Sequence, residues 1–289
     1  MQNDSPSTSS LSPTPFDILA FSHLTPAQVR TAFEPTPRPS TPQLDELIAA
    51  EWERQTALAR QAGRVLFNGG LLRYVRHAVL KGSTGGTEAI ELTIGPTCYR
   101  DFVGTNLFNH HRLEEFGWER FSNPVGTTAT LVSREGLICY GRRSESVAYH
   151  ASHVHTFGGA LEERDRAADG RIDPFAAVCR EVEEELGLRR DELADLCCVG
   201  LIRDKEICQP EMLFEARLDM TADELRARWR SAEAADEHVD IVTLPDRPDA
   251  IVPFIRGCGP IAPVAIGALF LHGRRVWGEE WFRAAIESG

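Results

Sequence analysis

The sequence is short of positive charge. Its 289 residues carry 31 Lys and Arg against 43 Asp and Glu, a formal net charge of −12, and no cluster of basic residues breaks that balance. Duplex nucleic acid is bound through a basic face that neutralises phosphates, so no nucleic-acid partner is expected. A small anionic substrate held through a metal ion stays compatible with the charge. No apolar run reaches the roughly 20 residues that a membrane helix needs, and no basic segment followed by an apolar core marks a secretory leader. A soluble, cytoplasmic protein without membrane contact is the expectation. The seven cysteines, at positions 98, 139, 179, 197, 198, 208 and 258, are odd in number and form no C-x-x-C pair. That argues against a disulfide framework or a zinc ribbon and for reduced, mostly buried thiols. No internal repeat is found.

What the chain does have is a concentrated run of carboxylates, Arg180-Glu181-Val182-Glu183-Glu184-Glu185-Leu186-Gly187-Leu188. On a helical period Glu181, Glu184 and Glu185 share one face, while Phe175, Cys179, Val182 and Leu186 form an apolar stripe and Glu183 points to solvent. Like charges three and four residues apart disfavour a helix by about 0.2–0.5 kcal/mol per pair, so three on one face suggest a compensating cation. Carboxylate oxygens are hard ligands, which favours Mg2+, with Mn2+ second. Gly187 can adopt the left-handed conformation that ends a helix, and Leu188 can fold back on the stripe. A Glu-rich face is often merely solvated, but Gly158-Gly159 lies upstream after an apolar segment, where a strand-loop-helix metal site needs it.

Along the chain, residues 1–42 are rich in Ser, Thr and Pro, with Phe16 to Phe21 the one apolar interruption, and read as a mostly mobile arm with one docked segment. Residues 43–120 read as a small α/β subdomain. Thr41-Pro42 caps a helix ending near Gly63, and Leu71–Leu80 and Glu88–Ile94 read as strands joined around Gly82–Gly86. Residues 121–289 read as the catalytic domain. Its strands are Val125–Val132, Leu137–Arg142, Leu196–Arg203, Met212–Leu218 and Val239–Leu244. Its helices are the box helix from Pro174, Thr221–Trp229, Ile261–Leu271 and Trp277–Ile286. A mixed sheet flanked by helices results. The segment from Cys98 to Asn106 has no clear period and reads as a binding loop or a domain seam.

The carboxylate run and its upstream glycines resemble the Nudix box, G-x5-E-x7-R-E-U-x-E-E-x-G-U with U aliphatic, and the nine C-terminal positions all match. The upstream half departs. Between Gly159 and Arg180 the chain is about seven residues longer than the box, and counting back from Arg180 puts Ile172 where the middle Glu belongs. Asp173, Glu162 and Glu163 are the candidates for its structural work, and Arg164 to Arg171, with Asp169-Gly170, reads as an exposed inserted turn. Beyond the box, Tyr99-Arg100-Asp101-Phe102-Val103-Gly104-Thr105-Asn106 closely resembles the Y-R-D-F-x-G-T-N segment of the animal Nudix proteins that hydrolyse UDP-glucose and UDP-galactose. Arg142-Arg143-Ser144, Gly158-Gly159, Gly200-Leu201-Ile202-Arg203 and Glu211 follow in the same order over about residues 45–272. That family also carries an N-terminal subdomain and a long loop inside its box.

The resemblance implies an α/β/α sandwich and a Mg2+-dependent hydrolase cleaving the diphosphate of UDP-sugars to UMP and a sugar 1-phosphate. It implies metal ligation by Glu181, Glu184 and Glu185, with the Gly159 carbonyl added, and catalytic roles for Glu184, Glu185 and Arg180. The general base is open between a box Glu and a carboxylate reaching in from another strand or loop, for which Glu211 and Glu206 are both candidates. Arg142, Arg143 and Arg203, at strand ends, are candidates for the phosphate oxygens, each with an ordinary surface ion pair as the competing role. Tyr99, Arg100, Phe102, Thr105 and Asn106 are substrate-binding candidates. His150, His153 and His155 precede the glycines; a zinc site, the lining of a phosphate cleft and a plain surface position are all open to them. Two other readings stand: a Nudix hydrolase for a different nucleoside diphosphate derivative such as ADP-ribose, and a nucleotide-sugar binder that has lost catalysis, motivated by the absent middle Glu and the lengthened loop. Nudix proteins are often dimers, so a homodimer is open, though no interface is marked.

Overall fold

The structure, a computed structural model, describes residues 14–81, 87–147, 149–167 and 169–288. Its elements are β1 (Phe16–Leu24), β2 (Val29–Phe33), α1 (Pro42–Gln61), β3 (Gly70–Lys81), β4 (Thr87–Cys98), α2 (Tyr99–Phe102), α3 (Leu113–Phe116), β5 (Gly126–Val132), β6 (Leu137–Arg143), β7 (Val154–His155), β8 (Phe157–Ala160), α4 (Pro174–Leu186), β9 (Ala194–Asp204), β10 (Pro210–Arg217), α5 (Ala222–Trp229), β11 (His238–Pro245), α6 (Ile251–Gly257) and α7 (Pro263–Ser288).

The large sheet runs β1-β9-β10-β5-β6-β11, with β8 added to β5 and β7 to β6. It is mixed: β10 and β5 are parallel and the other pairs antiparallel. Strand alternation sends Ala129, Leu131, Met212 and Phe214 to one face, against Phe175, Val178 and Val182 of α4 and Leu225 and Trp229 of α5. Val132, Tyr140 and Leu213 go to the other face, against α6 and α7. The expected α/β/α sandwich is the fold. Among the described residues no helix is long and apolar enough to cross a membrane.

Strands β5 and β6 pair only at Leu131–Cys139 and Val132–Ile138. Beyond that they splay, and β8 and β7 fill the opening, with Gly159 opposite Thr127 and His155 opposite Gly141. A small sheet, β2-β4-β3, stands apart. It docks through β3: Leu72 N–H donates to Leu161 O, and Val125 N–H donates to Leu72 O.

Three sequence expectations change. The docked piece of the arm is larger than Phe16–Phe21: β1 forms an edge of the catalytic sheet with Phe16, Ala20 and Leu24 buried, and β2 joins the small sheet. Residues 1–13 and the turn at Gly82–Gly86 lie outside the described residues. The two C-terminal helices are continuous up to a break at Gly278, whose φ of 90° no helix accommodates. Residues 99–107 are helical, α2 running into a π-turn over Val103–Leu107, because Gly104 packs on Ile48 of α1, whose Cα lies 2.7 Å from where a Cβ would stand.

A buried charge cluster ties α7 to the sheet. His272 has no solvent exposure; its Nε2 bonds Asp246 Oδ1 at 2.8 Å and its Nδ1 faces Glu215 Oε2 at 3.1 Å. Burial opposes its charge, but the two carboxylates override burial and hold its pKa up at about 9. The stabilisation is therefore complete below the unfolded value near 6.5 and is lost as pH rises through about 9. Thermal unfolding across this range should show Tm falling on the alkaline side. The His272→Gln variant should be less stable at neutral pH by about 3–5 kcal/mol and should lack the alkaline decline; an unchanged decline would place its cause elsewhere.

Candidate active site

Helix α4 forms where the sequence places it. Asp173 caps it, accepting from Phe175 N–H at 2.9 Å and Ala176 N–H at 3.2 Å. Gly187, at φ 70°, ends it in the left-handed region with its N–H on Glu183 O. Phe175, Cys179, Val182 and Leu186 are buried and Glu183 is exposed. Apolar burial of one face thus fixes the rotation that turns the carboxylates toward β8.

On that face Arg180 is the hub. Its guanidinium bonds Glu181 at 2.6 Å, reaches Glu184 at 3.5 Å and holds Asp165 through two bonds, at 3.2 and 3.1 Å. Burial works against its charge, yet these carboxylates keep its pKa above the ordinary value. Asp165 answers the question of the missing middle Glu. It stands six positions after Gly159, the spacing the box requires, so the added residues fall between the acid and Arg180 rather than before the acid. None of the three candidates does this work. Asp173 is the helix cap, Glu162 pairs with Arg164 and Glu163 with Arg166. Counting forward from Gly159 would have found Asp165; counting back from Arg180 could not. The inserted loop is pinned beyond it by Thr31 of β2, which donates to Ile172 O at 2.6 Å.

Glu185, 2% exposed, accepts from Gly158 N–H at 3.2 Å on one oxygen and from His238 Nε2 at 3.0 Å on the other. Each oxygen keeps a free lone pair. His238, at the start of β11, was not singled out in the sequence because its partner lies 53 residues away. Glu181 lies flat on Gly159: a Cβ there would sit 2.6 Å from the Glu181 carboxyl carbon. Burial raises the Glu181 pKa to about 7, Arg180 countering it and Glu185 adding to it. Glu181, Glu184, Glu185 and the Gly159 carbonyl together are an oxygen-only donor set of the kind a hard divalent cation takes. The donors are not gathered into a cage. Among the described residues no three His, Cys, Asp or Glu side chains are arranged to hold a metal ion, since Arg180 occupies the space between Glu181 and Glu184.

Across the splay, Glu211 of β10 lies over Gly126 of β5, where a Cβ would fall 1.8 Å from its carboxylate. Burial, reinforced by Asp204, raises its pKa well above the usual range, and Arg143 opposes the rise. Arg143 is 6% exposed, lies over the Tyr149 ring at 5.2 Å and leaves its Nε without a partner among the described residues. Tyr149 in turn meets Phe102 edge-on at 6.2 Å, and Phe102 meets Tyr99 at 6.4 Å. His155 is neutral, its pKa pushed well down by burial and by Arg143.

The remaining expected residues are held elsewhere. Arg203 pairs with Asp17 of β1 and lies over Trp118 at 5.1 Å. Arg142 bonds the backbone oxygens of Ser152 and Cys258. Thr105 accepts from Ser122 N–H, and Asn106 spans Asn123 and Ile207 O, so these two form a seam between the small subdomain and the catalytic sheet. The Arg100 backbone N–H donates to Asn68 Oδ1 at 2.8 Å.

Residues that orient metal ligands typically change metal affinity or activity by about 10–100-fold when replaced. Titration of Mn2+ by isothermal calorimetry should show a loss of that order in Asp165→Asn and in His238→Gln. Asp173→Ala should instead lower stability by about 1 kcal/mol with cation affinity unchanged; the reverse pattern would return the middle position to Asp173.

Two sequence relatives span most of the chain. It is 27% identical over 260 residues to Nudix hydrolase 9 of Arabidopsis thaliana, covering 77% of this chain and 80% of that protein. It is 24% identical over 273 residues to the mouse protein named uridine diphosphate glucose pyrophosphatase NUDT22, covering 86% and 87%. Among solved structures, the crystal structure of the Deinococcus radiodurans protein DR0079 superposes with a TM-score of 0.41 at 16% identity, over 67% of this chain and 97% of that one. No protein-family model matches. With the box carried on α4 over its two glycines and relatives of this coverage, the chain is similar over most of its length to Nudix hydrolases.

Proposed function

We propose that the protein hydrolyses the diphosphate of UDP-sugars, with Mg2+ as the cation, to UMP and a sugar 1-phosphate. The observation that carries the reading is the buried acid face of α4 laid against Gly159, with Glu181 held by Arg180 and Glu185 by Gly158 N–H and His238. Support for the UDP-sugar comes from the mouse relative's name and from the Tyr99–Asn106 segment. A bound divalent cation supplies neutralisation of the diphosphate and a more acidic water. Glu181, Glu184, Glu185 and the Gly159 carbonyl are the atoms that would hold it. Gly158 N–H and His238 keep Glu185 in one rotamer, and Asp165 steadies Arg180 against the other two carboxylates.

Arg143, buried with an unused donor, provides a guanidinium for phosphate oxygens in a place where charge is poorly screened. Glu211 is the group we assign to accept the proton of the attacking water. The anhydride P–O bond breaks with its electron pair leaving on the departing phosphate. Asp165 at the middle acidic position supports catalysis over the reading of an inactive binder, whose other motive, the lengthened loop, stands.

Product analysis with Mg2+ and a panel of UDP-glucose, UDP-galactose and ADP-ribose tests the proposal. UMP with sugar 1-phosphate should appear, and Glu185→Gln should abolish turnover while keeping Tm; AMP from ADP-ribose alone would move the substrate assignment. Glu211 must be ionised to act, and its pKa is raised. The acid limb of kcat/KM should therefore lie above the ordinary carboxylate range, activity growing as pH increases, and Glu211→Gln should remove both the limb and about 100-fold or more of the rate.

A further inference from the structure

One cluster beside Glu211 is not used by the reaction as described. His150 takes a left-handed backbone at φ 50°, and Ser152, two residues on, at φ 64°. Such conformations cost about 1–3 kcal/mol each in non-glycine residues and persist where the surroundings enforce them. Here the backbone drives the His150 ring inward, to 3% side-chain exposure, between two carboxylates of the β9–β10 connection. Its Nε2 lies 3.6 Å from Asp204 Oδ2 and its Nδ1 3.9 Å from Glu206 Oε2. Nε2 is buried and has no hydrogen-bond partner among the described residues, an arrangement that costs about 1–3 kcal/mol unless it is put to use.

The carboxylates differ in a way that gives the cluster a direction. Asp204 is 2% exposed. Its Oδ1 is taken by the backbone N–H groups of Glu206 and Ile207, which leaves Oδ2 for His150. Glu206 is 56% exposed and meets solvent. Across the β9–β10 pairing Glu211 stands opposite Ile202, two residues before Asp204 on the same strand, and Asp204 N–H donates to Gln209 O, two residues before Glu211, so the two carboxyl groups are diagonal neighbours on adjacent strands. Along the cluster the order is Glu211, Asp204, His150, Glu206, with Glu206 the exposed end. The other groups around His150 are Tyr149 at 5.2 Å, His153 at 5.4 Å and His155 at 6.0 Å between ring centres, with Arg143 beyond Tyr149.

We propose that His150, with Asp204 and Glu206, is the exit route for the proton that Glu211 takes from water, returning Glu211 to its carboxylate after each turnover. The idea rests on the assignment of Glu211 as base. In each cycle the water oxygen bonds to phosphorus, its proton passes to the Glu211 carboxylate, and the bridging P–O pair leaves with the phosphate. The Glu211 proton then moves by way of Asp204 to His150 Nε2, and the proton on Nδ1 leaves to Glu206 and solvent. A ring flip or tautomer exchange resets His150, and no oxidant or co-reactant is required. His150 is a relay residue, since it touches neither water nor phosphate.

The signature is kinetic. A relay limits the second and later turnovers and spares the first, whereas a structural defect slows all of them. Rapid-quench measurements on UDP-glucose with Mg2+ should give, in His150→Gln, an unchanged first turnover. A burst and a steady-state kcat lower by about 10-fold should follow, with a solvent deuterium effect on the steady state that exceeds wild type. If the variant fails to fold, Glu206→Gln, at the exposed end, should show the same burst with a smaller loss. Equal slowing of first and later turnovers, or no burst in either variant, overturns the relay. Wild-type rates that survive in Glu211→Gln would overturn the base assignment and the relay with it. A wild type that releases no UMP from UDP-glucose but hydrolyses ADP-ribose fails only the substrate reading, and the burst test then applies to that substrate.

Discussion

The site depends on keeping carboxylates out of water without letting them simply take up protons. Glu185 is almost wholly buried and Glu181 mostly so, and an unpaired buried carboxylate costs several kcal/mol or neutralises. The surrounding structure offsets this in pieces: Arg180 for Glu181 and Glu184, Asp165 to hold Arg180, the Gly158 amide and His238 for Glu185. What those groups do not supply shows in the raised pKa of Glu181. On the proposed reading, that remainder is what a bound cation would neutralise. A face fully neutralised by protein groups would hold itself together and bind nothing.

The same constraint explains where side chains are missing. Gly126 yields its Cβ space to Glu211, Gly141 to the His238 ring and Gly159 to Glu181. Three strands of one sheet thus lack side chains where a charged or imidazole group must lie flat against the backbone. Splaying of β5 from β6 opens the sheet at the same place. The site is therefore built into the sheet, and the loops contribute mainly the tethers, Asp165 and the Asp204 turn.

Much of this could be read in the sequence, where the signal was local. The box helix, its apolar stripe and its terminal glycine follow from the local pattern in and just beyond its 13 residues, and the strands of the catalytic sheet from alternation and turns. What failed to show depended on partners far along the chain. Arg143 and Arg203 both end strands and look alike. Only the pairing of β1 with β9, from a segment whose composition suggests an arm, gives Arg203 its Asp17 and leaves Arg143 alone in the cleft. His238 is invisible for the same reason. Asp165 is a different case, since its spacing from Gly159 was present but the inserted residues hid it from a count begun at the other end.

The Tyr99–Asn106 segment shows why resemblance to a binding motif and a role in binding are separate matters. Its polar members, Thr105 and Asn106, are fully buried and spend their hydrogen bonds on Ser122, Asn123 and Ile207. Polar groups with no remaining valence cannot also contact a sugar, so their effect on the substrate is indirect. Ile207 belongs to the connection that begins at Asp204. A seam that fixes Ile207 therefore also fixes the turn on which Asp204 and Glu206 sit, while Phe102 in the same segment braces Tyr149 and through it Arg143. The small subdomain thus acts as a scaffold for the side of the cleft opposite α4, setting where Arg143 and the carboxylates around Glu211 stand.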